Sequence, residues 1–138
     1  MKKHYVLEEV EELEFDIFAI NSHTKAYKLC WMINKTLEIN LEKVNDQQID
    51  KKRFARYQDL SSEGAEYNVV VNQSKEGYLI PDQKKINYFL IINKENNKLK
   101  KKDVISRLAK LKEILIIFEV KAEKTQYINR FIFNDKKN

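Results

Sequence analysis

His23 and Cys30 are the histidine and cysteine nearest each other in the chain, and the pair most open to nucleophilic chemistry. A histidine beside a thiol can take its proton and leave a reactive thiolate. On a helix, however, this spacing amounts to about 10 Å of rise, too far for direct activation. Cys30 then reads as a small core residue and His23 as a surface residue of a first helical turn. His4 stands in an N-terminal strand pattern with no acidic partner pattern near it. Cys30 is the one cysteine, so neither an intrachain disulfide nor a cysteine-rich zinc site can form. A metal centre would need ligands from distant segments, which the sequence does not display. Two glycines are too few for a phosphate cradle, and no GxGxxG, Walker-type, HExxH, CxxC or GxSxG motif occurs. The residues therefore assign no catalytic group, no metal and no cofactor.

Residues suited to binding are easier to find. Trp31 lies at the edge of an apolar helical arc, beside Lys28 and Lys35, and tryptophan is enriched among interface hot spots. Lys100, Lys101 and Lys102 stand where a helix starts, and free amides at a helix N-terminus attract anions. The net charge is +5, and it is unevenly placed. Residues 1–50 hold 6 Lys against 10 Asp+Glu, and residues 51–138 hold 20 Lys+Arg against 11 Asp+Glu, so the balance runs from −4 to +9. Such asymmetry suits a polyanionic partner. Of the 26 basic residues, 22 are Lys, and lysine lacks the planar fork with which arginine reads phosphates in pairs. A nucleic-acid partner is thus open but not favoured.

The stretch "IPDQKKINYFL" combines the chain's one proline with a charged interval and an apolar run. Pro81 lacks an N–H and fits the start or edge of a strand. Asn87 must find a hydrogen-bond partner if it is buried. The segment resembles the signature of a small bacterial family, IPExxxVDY, of unassigned activity. Ile80, Pro81 and Tyr88 match it. Asp82 replaces its Glu, Ile86 its Val and Asn87 its Asp, with the spacing intact. The stretch "FDIFAINSHTKAYKLCWMINKTLEI" is similar to the family's N-terminal half. Proton exchange needs a titratable group in reach, and Asn87 has none, so Ile80, Pro81, Asp82, Asn87 and Tyr88 read as a structural motif. The family's gene neighbourhood implies an acyl carrier protein as a specific partner.

These residues need a scaffold. Residues 3–8 and 14–22 read as strands joined by an acidic link. On the second, Phe15, Ile17 and Ala19 face one way and Phe18 and Ile20 the other. A helix follows, capped by Asn21 or Ser22, with Ala26, Leu29, Cys30, Ile33 and Leu37 on one arc. Residues 53–60 and 66–74 read as strands around a "SSEG" turn, and Gly77 supplies a positive φ in the next turn. Residues 86–93 form a strand apolar on both faces, with Ile86, Tyr88, Leu90 and Ile92 on one side and Phe89 and Ile91 on the other. Such a strand belongs inside a sheet covered on both faces. Asp103 caps a second helix, residues 114–121 form another two-sided strand, and residues 125–133 fit helix and strand patterns equally.

The order predicts one α+β domain over residues 1–138. Its sheet is mainly antiparallel, of five to six strands, with two helices on one face, and a ferredoxin-like core with additions fits it. No signal-peptide pattern and no apolar run of ~20 residues occurs, so a soluble cytoplasmic protein without membrane contact is expected. The leading expectation is a non-catalytic interaction or adaptor domain with an acidic protein partner. Nucleic-acid binding by the basic C-terminal half is the second. An enzyme of unfamiliar type is the third, and it requires Asp82, Tyr88 and His23 around one pocket. A sheet apolar on both sides also permits a homodimer.

Overall fold

The computed structural model describes residues 15–60, 65–93, 100–121 and 127–133. In chain order the elements are β1 (Phe15–Asn21), α1 (Ala26–Leu37), β2 (Glu42–Ile49), β3 (Lys52–Asp59), β4 (Tyr67–Val71), β5 (Gln73–Ser74) and β6 (Gly77–Tyr78). A 3-10 turn (Pro81–Gln83), β7 (Tyr88–Asn93), α2 (Lys101–Ala109), β8 (Ile116–Val120) and a second 3-10 turn (Ile128–Phe131) follow.

Six strands form one sheet in the order β2-β3-β4-β7-β1-β8, and each neighbouring pair is antiparallel. β5 and β6 form a separate hairpin, where Gly77 adopts φ +147°. The α+β expectation holds. The strands β8-β1-β7-β4 and the two helices follow the order of a ferredoxin-like core. α1 lies in the connection from β1 to β4, which are parallel with β7 between them. α2 lies in the connection from β7 to β8, which are parallel with β1 between them. β2 and β3 are the addition.

Both faces of the sheet are covered, because β1 and β7 alternate two sets of apolar side chains. On the helix side, Phe18, Ile20, Tyr88, Leu90 and Ile92 meet Leu29, Cys30, Ile33 and Leu37 of α1 and Val104 and Leu108 of α2. On the other side, Ile17, Ala19, Phe89 and Ile91 meet Phe54, Val70, Leu79, Ile80, Ile86 and Phe131. Among the described residues that second cover has no regular helix, and it is formed by the segment around the first 3-10 turn and the segment 127–133. Phe131 meets Phe89 edge-on, with ring centroids 5.1 Å apart, a favoured aromatic geometry.

Several sequence expectations change. α1 begins at Ala26, with Lys25 at the cap position and no side-chain cap, so neither Asn21 nor Ser22 caps it. α2 begins at Lys101, so Asp103 lies in its first turn and does not cap it. Ile86 precedes β7 and turns to the second face, away from Tyr88, Leu90 and Ile92. Among the described residues β8 is an edge strand with Ile116 and Phe118 exposed, not a strand covered on both sides. Residues 128–131 of the ambiguous C-terminal stretch are 3-10. β2 was not expected. It is polar and largely exposed, and its pairing with β3 is what holds it extended. The strand over residues 3–8, with His4, and the "SSEG" turn lie outside the described residues. Among the described residues no helix is long and apolar enough to cross a membrane.

Candidate functional site

The motif residues serve two ends of one loop. Asn72, fully buried, holds the loop from inside. Its Nδ2 donates to the carbonyls of Gln83 at 2.9 Å and Ile86 at 2.8 Å, and its Oδ1 accepts from the Ile80 amide at 2.9 Å. Arg130 reaches over from the closing segment and donates from Nη1 to the Leu79 carbonyl at 2.6 Å. Ile80 is buried, while Pro81 and Asp82 are exposed on the 3-10 turn.

At the other end of the motif, Asn87 Oδ1 accepts from the Ser22 amide at 2.8 Å, and the Asn87 amide donates to the Ile20 carbonyl at 3.0 Å. Asn21 Nδ2 donates to the Lys85 carbonyl at 2.8 Å. The Tyr88 hydroxyl donates to the Thr24 carbonyl. Burial, with smaller contributions from Cys30 and Tyr57, pushes the Tyr88 phenol up to about 12. The motif thus ties the start of β7 to the turn that leads into α1.

Beside these bonds runs an open groove of roughly 640 Å³, lined by Ser22, His23, Thr24 and Lys25 on one bank and Gln73, Ser74 and Lys75 on the other. Asn87 and Tyr88 lie along it, and Asp82 does not. His23 and Tyr88 therefore share a site, while Asp82, the carboxylate expected beside them, lies elsewhere. His23 also precedes α1 and is exposed, whereas Cys30 is buried within it. The two share no helix face. Burial pushes the Cys30 thiol up to about 12, the opposite of an activated nucleophile. Among the described residues, no three His, Cys, Asp or Glu side chains converge on a metal site.

The outer face of α1 is of a different kind. Its apolar arc is buried, and the opposite side presents Tyr27, Lys28, Trp31 and Lys35. Tyr27 is 66 % exposed and Trp31 57 %, one helical turn apart. Lys35 Nζ stands 4.3 Å from the Trp31 ring centroid, within cation–π range. Lys25 extends the cationic character toward the groove. Trp31 is thus on the solvent face of α1 and not merely at the edge of its apolar arc.

The three lysines at the start of α2 divide. Lys100, at the cap position, and Lys102 are exposed. Lys101 turns inward, with its Nζ 2.9 Å from Glu119 and 3.9 Å from Asp16. Burial acts to raise the Glu119 carboxyl, but Lys101 and Lys121 outweigh it and hold the group below its usual range. α1 and α2 lie on the same side of the sheet, so Trp31, Lys100 and Lys102 belong to one layer. Tyr27 shares the edge of the apolar arc with Trp31 at a four-residue spacing, yet the expected binding residues include Trp31 without it. No protein-family model matches the chain, and no curated protein sequence does.

Proposed function

We propose that the protein is a non-catalytic interaction domain of the cytoplasm, with the outer face of α1 as its docking surface and an acidic protein as its partner. The observation that carries this reading is the pair of exposed aromatic rings, Tyr27 and Trp31, set among Lys25, Lys28 and Lys35 on one helix. Exposed aromatic rings flanked by cations supply contact area and charge complementarity together. Lys100 and Lys102 of α2 extend the cationic surface on the same side of the sheet. The motif resemblance to the IPExxxVDY family belongs to the same proposal, and acyl carrier protein is its specific candidate partner. The motif itself, Ile80 to Tyr88, is then the loop's scaffold.

Trp31 is the chain's one tryptophan, so its fluorescence reports directly on this face. Purified acyl carrier protein titrated into the full-length protein should shift Trp31 emission saturably. The combined charge reversals Lys28→Glu and Lys35→Glu should weaken binding at least tenfold. No response to this or other acidic proteins would overturn the reading. A response to single-stranded RNA or DNA that falls steeply with salt would replace it with nucleic-acid binding.

A further inference from the structure

The two edges of the sheet are built differently. β2 is irregular between Val44 and Gln47 and presents exposed Glu42, Lys43 and Asp46. Bulges and charges keep an edge strand from pairing further. β8 lacks these devices. Its register with β1 runs unbroken from Ile116 to Val120, and among the described residues no strand lies on its outer side. Ile116 is 55 % exposed and Phe118 39 %, both on the sheet face away from the helices, and Leu115 just before them is 57 % exposed.

Among the described residues the exposed charges around this edge are cationic, while Asp103, Glu113 and Glu119 are half-buried. α2 packs over β8 and exposes Lys102 and Arg107, with Lys110 exposed at its C-cap. Lys112 before the strand and Lys121 after it are also exposed. Glu119, the strand's one acid, is already held by Lys101 at 2.9 Å and Lys121 at 3.5 Å.

We propose that the β8 edge receives an extended segment of an acidic protein as a seventh strand. Alternate apolar residues of that segment cover Ile116 and Phe118, and the acidic residues between them meet the surrounding cations. Added strands bind through main-chain hydrogen bonds, while alternate side chains give the specificity. A second copy of this chain is the poorer occupant. Twofold pairing across β8 would set two cationic α2 helices side by side on one face of a continuous sheet. The inference does not rest on docking at Trp31.

The test uses the full-length protein and two synthetic nonapeptides, one alternating valine with glutamate and one alternating valine with lysine. The glutamate peptide should protect β8 amides from hydrogen exchange, and the lysine peptide should not. Ile116→Glu with Phe118→Glu should weaken binding at least tenfold. Should that double variant fail to fold, Phe118→Thr keeps strand propensity and should show a smaller loss of the same kind. Trp31→Ala should leave peptide binding unchanged, which separates this site from the face of α1. Unprotected β8 amides, equal binding of both peptides, or loss of binding in Trp31→Ala would overturn the inference. So would a concentration-dependent dimer that the β8 variants disperse, because the edge would then belong to a second copy.

Discussion

The Asn87 side-chain oxygen accepts a hydrogen bond from the Ser22 amide at 2.8 Å, joining the start of β7 to the turn before α1. The bond uses Asn87 as an acceptor, a role that an aspartate fills equally well. Asn87→Asp should therefore change stability by less than about 1 kcal/mol, and Asn87→Leu should cost about 1–2 kcal/mol by leaving the amide unmatched. Urea unfolding of both variants checks this. Equal losses would show that the oxygen is not what matters.

Asn72 offers the opposite case, because both ends of its amide are used. Asn72→Ala strands the Gln83 and Ile86 carbonyls and the Ile80 amide, a loss of at least ~2 kcal/mol. Asn72→Asp should be no better, since one of its oxygens would face the two carbonyls that Nδ2 now satisfies. Denaturant midpoints for the two variants compare them directly.

Cys30 should be silent to thiol reagents in the folded protein at neutral pH and reactive only in denaturant. Its folded titration at about 12 lies above the ~8.5 of an unfolded chain. The stability tied to the neutral thiol is complete below the unfolded value and is lost as pH rises through the folded one. Tyr57, Tyr67 and Tyr88 are also raised, first by burial, and act with the same sign. Stability should fall from pH 9 upward, less steeply in Cys30→Ala, as urea midpoints across that range would show.

Phe131 should behave as a core residue despite its place in a short 3-10 turn. Phe131→Ala removes a side chain 2 % exposed and its edge contact with Phe89, and should cost about 3–5 kcal/mol. A loss below about 1 kcal/mol would mean that the closing segment does not seal the second face.

Much of this was legible from apolar spacing. The buried arc of α1, the two-sided strand β7 inside the sheet, the two faces of β1 and Gly77 all follow from local pattern. β2 did not, because only Val44 and Ile49 among its residues are apolar, and a largely exposed edge strand needs no strict alternation. Ile86 lies on the face opposite to the one its spacing predicts, because strand alternation begins only at Tyr88, two residues later. The cover supplied by residues 127–133 was hidden for another reason. It depends on partners far away in sequence, Arg130 with Leu79 and Gln47 with the carbonyls of Arg130 and Ile132. At the candidate site, Trp31 was legible as an edge aromatic. The inward turn of Lys101 was not, since Asp16 and Glu119 approach it only through the sheet.

The position of β1 in the sheet has a consequence for synthesis. It is the first described strand, yet it lies between β7 and β8. A ribosome delivers it long before either neighbour, so Ile17, Phe18, Ala19 and Ile20 wait without a strand on either side until β7 emerges, and with one side open until residues 116–120 follow. Synthesis proceeds at ~5–20 residues per second, which makes that wait several seconds. The nascent chain therefore offers its stickiest strand early and buries it late, and translation speed and holding chaperones should govern the yield of folded protein more than they would for a fold closed by local hairpins.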